Sequence, residues 1–456
     1  MSLVPKNRLL FAVGISFLPL SILVAFEPSR TMMAFMMMAG LIVIVLYDAI
    51  KALGQLAGIR VTLPEVVRLS KFREGDIELH IENDGTQMRR IRLGLAFPME
   101  IHTQSRDLCA VLPADTFLST LRWPCKGLKQ GRYILNKCYL EATSPIGFWA
   151  LRTSRSAQTE VRVYPNLLVE RKNLTSLFLN RGLGIHAQRQ VGKGREFEQL
   201  REYLPGDCFE DIHWKATARR GQPITKVFQI ERTQQIYVII DSSRLSARDL
   251  NMHPNEYPSE TAEEMVLVST ILERFITAAL VICLAAERQG DLFGLITFDN
   301  RVQNYLGAKS GKAHFNACRD AIYTLQSRGV TPDFSELFTF IGTRIRRRAL
   351  LVFLTHLDDP ILTESFTDNI DIISRKHLVL VNMLRPAEAQ PIFSSASISS
   401  VDEIYRCLGG HVLWKGLRET EKVLKRRGVG FTALENETMC TDLISQYLTL
   451  KRRQVL

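Results

Sequence analysis

Three places in this sequence hold side chains that could do chemistry. Asp207, Asp211 and His213 lie close together. An imidazole beside carboxylates can move protons near neutral pH, so one reading is a hydrolase built on Asp207 and His213; a histidine satisfied within a polar network is the plainer alternative and is preferred. The second place is Asp241-Ser242-Ser243-Arg244-Leu245-Ser246, directly after the apolar run Ile236–Ile240. That puts an acid at the carboxyl end of a strand, where open α/β sheets form ligand sites, and its carboxylate and hydroxyl oxygens suit Mg2+. The third place is His356 near Asp358 and Asp359, which is equally ambiguous. Neither G-x-S-x-G, H-E-x-x-H nor a Walker A pattern occurs. The run from Gly307 to Ala313 is one residue short of a phosphate loop, and Ala313 lacks the hydroxyl such a loop presents to magnesium.

The most charged of the surroundings is 194–220, GREFEQLREYLPGDCFEDIHWKATARR. Phe197, Leu200 and Tyr203 recur at helical spacing, and Leu204-Pro205-Gly206-Asp207 suits a type II turn. Asp207 followed by Glu210 is a capping-box pattern, so two short helices around a turn are expected, the second stopped by Gly221. Phe197, Tyr203, Phe209 and Trp214 interleave with Arg195, Glu196, Arg201, Glu202, Asp207, Asp211, Lys215, Arg219 and Arg220. A stretch so mixed reads as a partly buried polar network or a docking face.

This stretch resembles the signature of bacterial membrane proteins grouped as domain of unknown function 58, roughly G-x-E-F-x-x-L-R-E-Y-x-x-G-D followed by I-D-W-K-A-x-A-R. Gly194, Glu196, Phe197, Leu200, Arg201, Glu202, Tyr203, Gly206, Asp207, Ile212, Trp214, Lys215, Ala216, Ala218 and Arg219 match, while His213 stands where the pattern has aspartate. The Asp241 run in turn resembles the metal-ion-dependent adhesion site of von Willebrand factor A domains. Asp241 and Ser243 fit D-x-S-x-S, and Thr331 can stand for the second-loop threonine. Leu245 replaces the second serine, and Thr355-His356 replaces the third-loop pair that ends in aspartate. The resemblance therefore implies a degenerate site, with Mg2+ at Asp241, Ser243 and Thr331 the lesser alternative to a vestigial one.

The elements that must position these residues follow from composition and periodicity. The chain has 456 residues, 46% of them hydrophobic, a net charge of +11 and 8 cysteines. No two cysteines form a C-x-x-C pair, which favours reduced thiols in a reducing compartment. Apolar runs over 9–26 and 31–47 each approach the length that crosses a bilayer. The absence of a small-residue cleavage site before Glu27 favours a transmembrane hairpin over a signal peptide. Lys6, Arg8, Lys51 and Arg60 flank the hairpin on the same side, which predicts a two-pass inner-membrane protein with its soluble region in the cytoplasm. Four regions are expected: the hairpin (1–56), a β-sandwich of immunoglobulin-like architecture (57–166), a connector carrying the signature (167–235) and a von Willebrand A-like α/β domain (236–456). Predicted strands of the sandwich cover 60–69, 76–82, 91–97, 117–123, 132–141 and 161–164, and 226–231 is an edge strand. The α/β domain alternates strands at 236–240, 292–298, 349–355, 378–384 and 430–434 with helices. These begin with one over 259–288 and include 314–326, one from Ser335, 364–375, 401–408, 417–427 and 438–451. Glu273 and Arg274 argue against a third membrane span over 265–286. Basic runs at Arg344–Arg348, Lys425–Arg427 and Lys451–Arg453 read as a solvated or membrane-facing surface, since interleaved aromatics for base stacking are lacking.

Together these readings predict α/β plus β-sandwich architecture and a membrane-anchored, protein-binding adaptor, not an enzyme. The family resemblance implies a MoxR-type AAA+ ATPase as partner, in complex assembly or envelope maintenance. The alternatives are the hydrolase above and a basic nucleic-acid-binding membrane protein, whose DNA binding would be strongly salt-dependent.

Overall fold

A computed structural model describes residues 2–26, 31–84, 88–114, 116–168, 170, 172, 175, 191–205, 208–229, 234–250, 269–392 and 401–452. The chain divides into two compact units, Met1–Asn166 and Leu167–Leu456.

In the first unit, β1 (Ser2–Pro5) precedes the helices α1 (Asn7–Phe26) and α2 (Thr31–Leu53). Both helices are long and apolar enough to cross a membrane, with mean hydropathies of 2.5 and 2.2. Their apolar side chains, among them Phe11, Ile15, Phe35 and Ile50, are exposed, as suits a lipid-facing surface. Nine further strands follow: β2 (Ile59–Thr62), β3 (Val66–Ser70), β4 (Glu74–Asn83), β5 (Arg89–Leu95), β6 (Ile101–His102), β7 (Asp107–Leu112), β8 (Leu118–Gly127), β9 (Gly131–Thr143) and β10 (Trp149–Tyr164). They form one sheet in the order β1-β10-β9-β5-β7, with β3 parallel to β10, and a second in the order β2-β4-β8-β6. The two sheets share one core. Ile77, Leu79 and Ile81 alternate inward on β4, as do Ile91 and Leu93 on β5 and Leu140 and Ala142 on β9, around the fully buried Trp123. The single strand expected over 60–69 is two, interrupted where Leu63 and Pro64 leave the ladder. Strands β1, β6 and β7 carry no sequence signal strong enough to have been predicted.

Asp48 ties α2 to this sheet. Only 1% exposed, it accepts hydrogen bonds from Ser144 Oγ (2.6 Å) and from the backbone N–H groups of Ile146 (3.0 Å) and Phe148 (3.2 Å). Ser144 Oγ in turn accepts from Gly147 N and Trp149 N, and the Trp149 indole N–H donates to Val45 O at 3.0 Å. The Ser144–Phe148 turn is thus structural, and its acceptor comes from the membrane-type helix.

The second unit begins with a hairpin of β11 (Val191–Glu202) and β12 (Ile224–Gln229), closed by α3 (Trp214–Arg220). Here the helix expected from Phe197, Leu200 and Tyr203 is wrong: the segment is a strand. The ladder shifts register between Phe197 and Gln199. One extra residue re-phases the two-residue alternation, so a spacing of three fits a bulged strand as well as a helix. Pairing with β12 then decides between them.

The main sheet holds β13 (Gln235–Asp241), β14 (Leu292–Phe298), β15 (Val302–Lys309), β16 (Leu350–Leu354), β17 (Leu378–Leu384) and β18 (Gly430–Leu434) in the order β15-β14-β13-β16-β17-β18. All are parallel except β15. Its helices are α4 (Ile271–Arg288), α5 (Lys312–Ile322), α6 (Phe334–Arg344), α7 (Pro360–Asn369), α8 (Asp371–Ser374), α9 (Val401–Arg426) and α10 (Met439–Arg452). One face packs against α4, α5 and α10 and the other against α6, α7 and α8, giving two apolar layers. The strands read as continuous apolar runs because both faces are covered.

Three helix boundaries differ from expectation. Helix α4 starts at Ile271, capped by the Thr270 side chain, because Thr270 bridges to Asp249 in extended conformation; 259–268 lies outside the described residues. The helices expected over 401–408 and 417–427 are one, α9, running through Gly409, Gly410 and Gly416. The segment 364–375 is instead two helices, α7 and α8. Glu273 and Arg274, the charges that argued against a third span, are satisfied locally: Glu273 accepts from Ser269 Oγ, and Arg274 meets Glu170 and the Asn436 carbonyl.

Candidate functional site

Two places collect the predicted residues. The first is the strand end at Asp241. The strand order switches side here, since the chain moves from β13 to β14 on one side and returns to β16 on the other. In open α/β sheets ligand sites form at such a point, and here the ends of β13 and β16 are joined by the hydrogen bond from Thr355 to Asp241. Asp241 is fully buried, and both its oxygens are committed: Oδ1 accepts from Ser243 N at 2.8 Å and Oδ2 from Thr355 Oγ1 at 2.7 Å. Ser246 Oγ donates to the Asp241 carbonyl at 2.7 Å, and Ser242 Oγ to Phe298 O at 2.9 Å. Burial pushes the Asp241 carboxyl above the ordinary carboxylate range; hydrogen bonds from Thr355 and Ser243 oppose this, and nearby Asp299 adds to it.

Asp299, directly after β14, was missed from sequence. It is fully buried and accepts from Arg301 N and from Gln303 Nε2, with the Arg328 guanidinium 3.4 Å away. Its signal was available: an acid directly after a second buried strand, in the same position as Asp241. Around the two acids stand three half-exposed arginines, each beside an aspartate: Arg328 at Asp299, Arg244 at Asp359 and Arg248 at Asp358. His356 is 1% exposed, lies 5.4 Å from the Phe275 ring, and is pushed down to about 4 by burial.

Magnesium fits this arrangement poorly. It wants several oxygen ligands with free lone pairs converging at about 2.1 Å. Each Asp241 oxygen already accepts one hydrogen bond within a fully buried site, Ser243 Oγ accepts from Leu245 N at 3.4 Å, and Leu245 brings no oxygen. Thr331 is exposed and makes no hydrogen bond to the described residues, although its neighbour Val330 accepts from Arg244 N. Among the described residues no group of three or more His, Cys, Asp or Glu could hold a metal.

The second place is the signature stretch. Its hairpin and helix are knitted by backbone bonds: His213 N to Ile224 O (2.8 Å) and Tyr203 N to Pro223 O (2.9 Å). His213 is the N-cap of α3, its Nδ1 accepting from Ala216 N at 3.0 Å, while Gly221 ends the helix at φ 70°. The expected cap at Asp207 gives way to His213, because a 3-10 turn (Phe209–Asp211) intervenes before the helix. Asp207 lies outside the described residues, and so do the side chains of Arg195 and Glu196 on β11. Tyr203 stacks on Phe209 at 5.9 Å. Phe209 is 75% exposed and Trp214 71%, with Glu202, Leu204, Lys215 and Arg219 also exposed and Arg201 half-buried.

With the geometry in hand, comparison with known proteins gives one family. The family model described as Protein of unknown function DUF58 matches residues 199–391. That span takes in most of the signature hairpin and the residues around Asp241. No curated protein matches the chain. Among solved structures, an aerotolerance-related membrane protein from Bacteroides fragilis NCTC 9343, with multiple mutations to serine, is 12% identical; the match covers 47% of this chain and 98% of that one at a TM-score of 0.29. The conserved hypothetical protein BatB from Bacteroides thetaiotaomicron is 13% identical over 48% of this chain and 99% of its own, TM-score 0.28. Proximal thread matrix protein 1 from the mussel byssus is 11% identical over 48% and 45%, TM-score 0.26. Likenesses this distant carry no functional argument.

Proposed function

We propose that this chain is a membrane-anchored adaptor that binds another protein through its second unit. The observation that carries the reading is the exposed aromatic pair Phe209 and Trp214, at 75% and 71%, set among Leu204, Lys215 and Arg219 on a hairpin and helix that hydrogen bonds hold together. Large aromatics beside cationic side chains are the usual anchors of protein interfaces, and leaving them in water is unfavourable unless something covers them. Arg201 and Glu202 lie at the end of the same strand, so the docking surface carries both signs of charge. The arginine-rimmed strand end at Asp241 is a second contact point. Asp299, Asp358 and Asp359 face arginines and Asp241 is buried, so we read it as recognising protein without magnesium.

On this reading α1 and α2 are the two-pass anchor in the inner membrane, and the flanking cations put the soluble region in the cytoplasm. The first unit's paired sheets are then an immunoglobulin-like spacer and the second unit a von Willebrand A-like binding domain. A MoxR-type AAA+ ATPase remains the partner that the family resemblance suggests. The hydrolase alternative has little to support it: the Nδ1 lone pair of His213 is spent on capping α3.

The test is crosslinking in native membranes. Trp214→Ala and Phe209→Ala should each lose the crosslinked protein while the chain stays at its normal level in the membrane, because neither residue is buried in a core. Unchanged crosslinking in the double variant would end the proposal.

A further inference from the structure

Three basic runs that are far apart in sequence meet at one place in the fold. The parallel strands β16, β17 and β18 begin in register, with Leu350 opposite Leu378 and Leu380 opposite Gly430. Immediately before each comes a run of cations: Arg346-Arg347-Arg348, Arg375-Lys376 and Lys425-Arg426-Arg427. Strands lie about 4.8 Å apart, so these runs spread over roughly 10 Å at the amino-terminal edge of the sheet. Neither 344–350, 375–380 nor 425–434 contains an acid. Asp241, Asp299, Asp358 and Asp359 lie at the opposite, carboxyl-terminal end, while Asp291, the acid just before β14, is buried and paired with Lys451.

Helix C-termini converge on this edge, since α6, α8 and α9 all end here, and a cation or two at each would merely complement their dipoles. Arg346, Arg347 and Arg348 exceed that role. They lie beyond the end of α6, in a loop whose two flanks are held by buried residues, Ile345 at 2% exposure and Ala349 at 1%. Lys376 Nζ donates to Ile345 O at 3.1 Å, and Leu378 N donates to Ala349 O at 3.0 Å. The loop is therefore fixed while its three guanidinium groups are exposed, and none of the three makes an ion pair with a described residue. Asp371, the nearest acid in sequence to Arg375, is already engaged by Arg427 at 3.2 Å. Ile372, 53% exposed on α8, adds an apolar side chain to the same edge.

We propose that this edge is a docking face for an anionic lipid bilayer. Fixed cations across adjacent strand ends with an exposed isoleucine suit a flat headgroup layer. A nucleic-acid groove would instead want exposed aromatics interleaved with the cations, and these runs have none. The chain also carries two helices fit to cross a bilayer, so the face works at the high effective concentration of a tether. Each cation near an anionic surface is worth roughly fivefold in occupancy, which makes the three-arginine loop worth about a hundredfold.

The experiment uses the full chain in nanodiscs of phosphatidylcholine alone and of phosphatidylcholine with phosphatidylglycerol, read by amide hydrogen exchange. In the anionic discs, exchange over 344–350 and 375–380 should slow several-fold, and the effect should vanish at high salt. R346Q/R347Q/R348Q should abolish the slowing, and R346K/R347K/R348K should keep it, which separates lost charge from a damaged loop. Equal exchange in both discs overturns the proposal. So does protection by added duplex DNA in the neutral discs with none from phosphatidylglycerol, since the face would then belong to nucleic acid.

Discussion

Replacing Asp48 by alanine should loosen the junction between α2 and the first unit's sheet, and the size of the effect follows from its contacts. The carboxylate is 1% exposed and accepts from Ser144 Oγ, Ile146 N and Phe148 N at 2.6, 3.0 and 3.2 Å. A hydrogen bond to a charged group contributes about 1.5–3 kcal/mol, and a buried donor left without its acceptor costs about 1–3 kcal/mol. Three bonds to one carboxylate are not independent, and water can enter the gap, so the sum is an upper bound; about 3–5 kcal/mol for losing the cluster is the better figure. At 1.4 kcal/mol per factor of ten, the backbone amides of Ile146 and Phe148 should exchange roughly a hundredfold to a few thousandfold faster. Amide exchange of the full chain in nanodiscs, followed by mass spectrometry over 143–150, reads this directly. Asp48→Asn keeps the volume and one acceptor oxygen but turns an NH2 group toward N–H donors, so it should fall in between. If Asp48→Ala leaves both amides within about threefold of the wild-type rate, the carboxylate does not hold the turn and the reasoning fails.

Two further outcomes follow from the buried strand ends at Asp241 and His356. Asp241→Asn should raise the melting temperature of the second unit near neutral pH, by the equivalent of about 1–3 kcal/mol. It removes a charge that burial disfavours, and the Thr355 hydroxyl can turn to accept from the new amide. A lowered melting temperature would refute this, and a wild-type melting temperature that rises with added Mg2+ or Mn2+ would point to a cation site. His356, ordinarily near 6.5, is pushed down to about 4 by burial, so the folded state resists its protonation. Its contribution is complete above pH 6.5 and declines as pH falls toward 4, by roughly 3 kcal/mol in all. His356→Gln should flatten that part of the stability–pH curve, and an unchanged slope between pH 6.5 and 4 would count against the assignment.

Much of this protein was readable before any fold was known, wherever the signal is local and repeated. The long apolar runs at the start, the fully apolar strands Ile236–Ile240 and Leu350–Leu354, and the Gly221 helix stop each carry their cause in adjacent residues. Asp241 could be named for the same reason, because an acid ending a buried strand is visible in one dimension. The β11 strand was misread because its bulge produces helical spacing, and nothing within the segment itself reveals the partner strand β12.

What sequence alone determined is which segments bury apolar surface and at which period, because burial depends on side-chain type and short-range spacing. Tertiary structure decided the rest, by setting side by side groups that are distant along the chain. Thr355 meets Asp241, Asp299 joins it under Arg328, Asp48 reaches the turn before Trp149, and three basic runs become one edge. Hydrogen bonds and Coulomb forces act over a few ångströms of space, and separation along the chain says little about that distance until the sheet order is known.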